Sequence, residues 1–239
     1  MTGAVRMPRT VEPELLDHMP ATDPRAACSR RDLRIVNAIM RNARIVAGVL
    51  TRSVDRPRAI VDIGAGDGAW LVQLARALPP SWAPVRAVLL DRQDTVSART
   101  LAALTGRGWA PEVITADVFE WLGQPEARAD VYVANLFLHH FEPPRLRELL
   151  ALLAARCRVF AACEPRRSPF ALHASRLLGL LGCNAVTRRD AVVSVRAGFA
   201  DDDLTALWPQ RAGWQVEEGG RGWFSHLFVA ARTAAVDGA

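Results

Sequence analysis

The chain has 239 residues, 50% of them hydrophobic, with 30 basic and 25 acidic side chains and a formal net charge of +5; this suffices for one α/β domain with a full core, and no apolar run reaches the ~20 residues that span a bilayer. Every basic residue is arginine and none is lysine, so the pI of 9.8 follows from arginine ionisation. The arginines are scattered and not interleaved with aromatics, which argues against nucleic acid as a partner. The stretch MTGAVRMPRTVEPELLDHMP lacks the apolar core of a secretion signal, and Cys28, Cys157, Cys163 and Cys183 form no C-x-x-C pair; the reading is a cytoplasmic protein with free, largely buried thiols.

Residues 1–28 are rich in Pro, Asp and Arg and read as an irregular arm with one helical turn at Pro13–His18. Ser29 can cap a helix from Arg30 to about Thr51, whose apolar positions include Leu33, Val36, Ile39, Met40, Val46 and Leu50. Ala59–Ile63 is a buried strand, followed by the glycine turn Gly64–Gly68 and a helix presenting Leu71, Leu74 and Leu78. This is the first βα turn of a nucleotide-binding α/β fold. Pro79, Pro80 and Pro84 then break the chain before a second strand, Val85–Leu90, which ends in Asp91.

A helix from about Thr95 to Leu104 leads to a third strand, Glu112–Thr115, and to Asp117 before a short turn, Val118–Leu122. The fourth strand, Asp130–Ala134, runs into Asn135-Leu136-Phe137-Leu138-His139-His140-Phe141. Pro143 and Pro144 open a leucine-rich helix, and the fifth strand, Val159–Cys163, closes on Glu164-Pro165. Residues 166–213 are too long for an ordinary crossover and read as an inserted substrate cap. In it we expect a helix at Phe170–Leu181, a loop at Gly182–Asp190, a stretch Val192–Phe199 and a helix near Asp201–Leu207. Trp214–Glu218 and Trp223–Ala231, separated by glycines, read as a closing antiparallel hairpin, and Thr233–Ala239 as a frayed end.

The motif Gly64-x-Gly66-x-x-Ala69 satisfies the dinucleotide fingerprint, so the glycines alone leave the ligand open. The acids narrow it: Asp62 at the strand end and Asp67 in the turn would repel a pyrophosphate and attract the ammonium and sulfonium of S-adenosyl-L-methionine (SAM). The run RAIVDIGAGDGAW resembles the first motif of the class I SAM-dependent methyltransferases. The resemblance spans about Ala59–Glu164 by motif and reaches the closing hairpin by element order. It implies an α/β, Rossmann-like fold: a seven-stranded, mostly parallel sheet with an antiparallel C-terminal hairpin and helices on both faces. Residues 1–51 would form the N-terminal arm and helical cap, and 52–239 the SAM-binding domain with its insertion. The implied cofactor site is Asp62, Gly64, Ala65, Gly66 and Gly68 in the turn, Asp91 and Arg92 at the second strand end, Asp117 and Val118 at the third, and Asn135 at the fourth. Asp117 could equally be the cap of the short helix after it, and the two roles can coexist.

Methyl transfer from a sulfonium is an in-line displacement served mainly by positioning, with a base where the acceptor is a phenol or enol. His139 and His140 follow the fourth strand on the ligand edge and are the candidates for that base. Adjacent residues point in different directions, so at most one of them faces the acceptor, and spacing does not say which; a histidine there can also only shape the pocket. Together with Glu142 and Glu164 they invite a metal reading, but adjacent histidines seldom chelate one ion, so no metal is expected. His173, Asn184, Arg188 and Arg189 in the insertion could contact a polar or anionic acceptor.

Leu136–Phe141 looks most like the branch that methylates quinones, phenols and polyketide-type small molecules of secondary metabolism. No D/N-P-P-[YFW] run follows the fourth strand, which disfavours amide and base nitrogen. The expected function is thus transfer of a methyl group to a small aromatic or polyketide-like acceptor at a hydroxyl oxygen, by a monomer or homodimer. Two rivals stand beside it: an NAD(P)-dependent oxidoreductase, and a protein of this fold that binds SAM or a metabolite without transferring methyl.

Overall fold

The structure is a computed structural model that describes residues 7–20, 22–209 and 212–233. Its centre is a seven-stranded sheet of β1 (Ala59–Ile63), β2 (Val85–Asp91), β3 (Trp109–Thr115), β4 (Val131–Asn135), β5 (Val159–Pro165), β6 (Trp214–Arg221) and β7 (Ser225–Arg232), in the order β3-β2-β1-β4-β5-β7-β6. The first five strands run parallel and β7 pairs antiparallel with both β5 and β6. The chain reverses spatial direction between β3 and β4, so the carboxyl ends of β1, β2 and β4 lie side by side at the topological switch point, where open α/β sheets bind ligands.

Alternation along each strand splits the core in two. Ile60, Val85, Ala87, Leu89, Val131 and Val133 face one layer, with α3 (Asn42–Ser53), α4 (Ala69–Ala77) and α5 (Ala98–Thr105) packed on it. Val61, Ile63, Val88, Leu90, Tyr132 and Ala134 face the other, against α6 (Val118–Leu122) and α7 (Pro143–Arg156). Such double-sided burial is what turns the parallel strands into near-continuous apolar runs. β3 is the edge strand and carries Pro111 in its middle, a position where a missing N–H costs no ladder bond.

Several elements differ from the expectation. The helix before β1 starts six residues earlier than expected, as α2 (Pro24–Met40), because Asp23 caps it and Pro24 suits the first turn. Ser29 is therefore not a cap; it is buried mid-helix and bonded to Thr187 Oγ1 at 2.9 Å. The helix does not run through to Thr51 in one piece: Arg41 adopts the left-handed conformation (φ 57°) and separates α2 from α3. In the insertion, α8 (Pro169–Arg176) is shorter than expected and is followed by a 3-10 turn, Leu178–Leu181. The expected loop at Gly182–Asp190 is mostly helix, since Asn184 caps α9 (Ala185–Ala197). Asp201–Leu207 forms successive turns in place of a helix, and β6 continues through Gly219 and Gly220. The expected frayed end after Thr233 lies outside the described residues. The arm contains the short helix α1 (Leu15–His18).

Candidate active site

At the switch point the chain leaves β1 in a turn held from below by β2. The N–H groups of Gly64 and Ala65 donate to Leu90 O at 2.9 and 3.1 Å, and Gly66 N–H donates to Asp91 Oδ2 at 2.9 Å. Asp91 Oδ1 accepts from Gln93 N–H, so this carboxylate braces the turn from the end of β2. Gly66 has φ +54°, and a Cβ built on it would meet no atom within 4 Å; the backbone faces open space that a side chain would fill. Asp67 caps α4 through Ala69 N–H at 3.0 Å and pairs with Arg34 of α2 at 2.7 Å. Asp62 is 2% exposed and its Oδ2 has no partner among the described residues. Burial, and next the charge of Asp91, push its carboxyl well above the usual range. A buried carboxyl whose ionisation is disfavoured by burial and by Asp91, beside a bare glycine backbone, suits a ligand that brings positive charge.

The neighbouring strand end is tied to the N-terminal helices. Asn135, the last residue of β4, donates through Nδ2 to Asn37 Oδ1 at 2.9 Å and accepts from Asn42 Nδ2 at 2.8 Å; Ser225 of β7 donates to Asn42 Oδ1 at 2.7 Å. α2 and α3 are thereby fixed over the sheet's carboxyl edge. Asp117 caps α6 by accepting from Phe119 N–H at 2.8 Å, and Val118 behind it is buried. Arg92 is exposed, with its charge acting on Asp17 of the arm.

After β4, Leu136 takes a left-handed conformation (φ 54°), uncommon for a residue with a Cβ and frequent where function holds the backbone. It turns the chain so that Phe137 and Leu138 N–H donate to Glu164 Oε1 at 3.0 and 2.9 Å. Glu164 Oε2 meets His139 Nδ1 at 2.8 Å, and this carboxylate, fully buried at the end of β5, holds both the backbone and the imidazole of the LHH turn. The other ring nitrogen, Nε2, faces Glu14 Oε1 of the arm at 3.2 Å, and that same oxygen accepts from Ser194 Oγ on α9. His140 Nδ1 faces Asp17 Oδ2 at 3.1 Å. Burial alone lowers the His139 pKa, but the hydrogen bonds and charges of Glu14 and Glu164 outweigh it and raise the group to about 9. Conversely, despite burial, the two histidines hold Glu14 and Asp17 below the usual carboxylate range.

The expectation that the two histidines point apart is not met. They lie in a 3-10 turn, Leu138–His140, and their rings sit 4.2 Å apart at 33°. Glu14, His139 and His140 bring ligand-type atoms within 4.8 Å of one another. Both nitrogens of His139 already face carboxylates and the rings stand side by side, so the cluster is built as a set of ion pairs. The arm that supplies Glu14 and Asp17 is seated by polar contacts: Arg9 donates to Ala197 O, Phe141 O and His139 O, Thr10 N–H to Arg196 O, and Leu15 and Leu16 N–H to the carboxylate of Asp190.

Residues 60–159 match the family model described as a methyltransferase domain. Over this stretch, from β1 to the first residue of β5, the chain is similar to methyltransferase domains. Solved structures with the same fold include an O-methyltransferase family protein from Burkholderia thailandensis (19% identity, TM-score 0.60, 88% of this chain and 60% of that one). The plantazolicin methyltransferase BpumL in complex with SAH is 14% identical, with TM-score 0.64 over 89% of this chain and 92% of that one. The mitomycin 7-O-methyltransferase MmcR is 20% identical, with TM-score 0.58 over 91% of this chain and 60% of that one. The chain thus spans about 60% of the length of the Burkholderia protein and of MmcR. No curated protein sequence matches it. No helix among the described residues is long and apolar enough to cross a membrane.

The glycine turn fits S-adenosyl-L-methionine on two observations: the orphaned Asp62 oxygen and the open face of Gly66. The insertion residues singled out in the sequence are not bonded to the histidine cluster. His173 is exposed and bonds Pro169 O of its own helix, Asn184 caps α9 and donates to Arg25 O, Arg188 is exposed and lies against Gly179, and Arg189 bonds Pro13 O of the arm. The polar insertion side chain that does reach the cluster is Ser194. Glu14, Asp17, Ser194, Asn37 and Asn42 were not legible as site residues, and Glu164 was weighed only as a metal ligand. Their partners lie up to 183 residues away, and only Asn37 and Asn42, asparagines in a helical stretch, gave a local signal.

Proposed function

We propose that the protein transfers the methyl group of SAM to a hydroxyl oxygen of a small aromatic or polyketide-like acceptor, and that His139 is the base at that oxygen. When bound, SAM supplies a methyl group on a sulfonium, whose departure neutralises that charge. Asp62, Gly64, Ala65, Gly66, Gly68, Asp91, Arg92, Asp117, Val118 and Asn135 hold the cofactor, and the insertion together with the arm encloses the acceptor. The observation that carries the choice of base is the anchoring of His139: Glu164 takes Nδ1, and Nε2 faces Glu14 of the arm, whose Oε1 also meets Ser194 of α9. While Glu14 faces Nε2 the ring holds its proton to about pH 9; with Glu14 away, the carboxylate behind Nδ1 fixes the neutral tautomer whose Nε2 accepts a proton. His140 Nδ1 faces Asp17, at the more exposed edge.

Calorimetry with SAM and with NAD(H) separates this reading from an oxidoreductase, and methyl transfer from labelled SAM to a panel of phenols separates it from a binding protein. His139→Gln should lower turnover at saturating acceptor at least about a hundredfold, the usual contribution of a positioned base. His140→Ala should retain most of it, and a reversed ranking would move the base to His140.

A further inference from the structure

Glu14 Oε1 is the meeting point of two donors from different elements, His139 Nε2 on the LHH turn and Ser194 Oγ on α9. The glutamate side chain is 12% exposed and the imidazole 3%. Two buried donors converging on one anionic oxygen form an oxyanion site, and here the protein's own arm fills it. We propose that Glu14 occupies the subsite of the acceptor's reacting oxygen, and that the acceptor is an acidic hydroxyl compound, a phenol or enol, which binds as its anion once the arm withdraws Glu14. This rests on the reading of His139 as the residue at the acceptor oxygen.

The chemistry of the replacement sets the class. With Glu14 lifted away, His139 keeps Glu164 behind Nδ1 but Nε2 loses its partner, while Ser194 Oγ turns to Asp190 O at 2.8 Å until a new acceptor arrives; a buried polar group left unmade is costly. A phenolate or enolate oxygen restores the hydrogen bonds and the charge together, whereas an aliphatic alcohol restores only the bonds. The arm is built to leave. No residue of α1 is buried, and the arm is seated on α9 by hydrogen bonds, two of them to the buried carboxylate of Asp190, and by one exposed ion pair, Arg196–Glu12, all of them polar contacts that water can replace once the arm lifts. A site competent only when the arm is out binds its ligand more weakly by the fraction of time it is open.

The test uses the full chain saturated with SAH and 4-nitrophenol as probe, read by the visible absorbance of its phenolate, with benzyl alcohol as the neutral comparison. Glu14→Ala should bind the phenolate about tenfold or more tightly than the native protein, because the competing carboxylate is gone. Benzyl alcohol should gain little, and adding His139→Gln or Ser194→Ala to Glu14→Ala should remove the gain. Equal phenolate affinity in native and variant protein would overturn the proposal. So would an equal gain for benzyl alcohol, which would mark an opened cleft without preference for charge. SAH affinity measured on every variant reports folding; if Glu14→Ala loses it, Glu14→Gln, which keeps the size and drops the charge, takes its place with a smaller gain in the same direction, for the phenolate and not for benzyl alcohol. Failure of the native chain to bind SAH would instead remove the methyltransferase reading on which the proposal stands.

Discussion

The charge state of His139 has a consequence for stability that can be measured without knowing the acceptor. Its imidazole is packed between Glu14 and Glu164, with His140 stacked on it, Asp17 beyond His140 and Arg9 donating to its own carbonyl. The folded protein holds the proton to about pH 9, against an ordinary value of 6.5. Below pH 6.5 both folded and unfolded chains bind it and its contribution is complete. Between 6.5 and 9 the folded state binds more protons than the unfolded one, so stability falls as pH rises, by up to ~1.4 kcal/mol per pH unit and about 3 kcal/mol across the window. Urea denaturation at intervals from pH 6 to 9.5 reads this directly. His139→Gln, which cannot titrate, should be less stable at pH 6 and should lose most of the slope, so the two curves converge towards pH 9. Parallel curves for the native protein and the variant would refute the ion-pair account of this cluster.

Other expectations follow from the same geometry. Gly66→Val should abolish SAH binding by calorimetry, since a branched side chain enters the open space beside the turn; the positive φ should add a stability cost of roughly 1–2 kcal/mol, and unchanged affinity would remove the turn from the cofactor site. Asp62→Asn should leave the ligand-free protein as stable as the native one or more stable by about 1–2 kcal/mol, because it removes a buried unpartnered carboxylate; SAM affinity should fall about tenfold or more, and a variant that loses stability while keeping affinity would make Asp62 a structural residue only. Glu164→Ala should cost about 3–5 kcal/mol in denaturation, the range for breaking a buried ion pair, with Glu164→Gln recovering part of it through the backbone bonds to Phe137 and Leu138; a loss below about 1 kcal/mol would show that the LHH turn holds itself.

The sheet was readable because its signals are local. Val61 and Ile63 face one layer and Ile60 the other, a period of two confined within five residues, and the glycine turn announces itself within the next five. Asp62, Asp91 and Asp117 could be placed because a strand end is itself a local feature, and the connection between strands fixes which edge of the sheet it lies on. The insertion was harder. VTRRDAVVSVRAGF has apolar residues too close together to distinguish a strand from a helix, and the decision came from Asn184, whose side chain accepts from Thr187 N–H and starts α9. Read as a loop residue, Asn184 seemed available to an acceptor; as a cap it is committed to the helix.

The histidine cluster illustrates the opposite case, in which each partner has an ordinary local explanation. Glu14 sits between prolines and leucines in a polar arm, and Ser194 is one small residue on a helix; nothing near either one asks for a buried imidazole. Ser29 misled for the same reason: serine is a favoured cap, yet here it is spent on Thr187 across the molecule. What sequence does reveal is a residue in a place that local structure would not choose. Asn37 lies inside α2 and Asn42 opens α3, both buried, and asparagine is a poor helix-interior residue because its amide competes with the backbone. Their cost makes sense only if the amides are engaged elsewhere, and they are, through Asn135 at the end of β4 and Ser225 on β7. Leu136 makes the same point in the backbone, since a left-handed leucine gains nothing locally and is kept because the turn it creates delivers two N–H groups and an imidazole to Glu164.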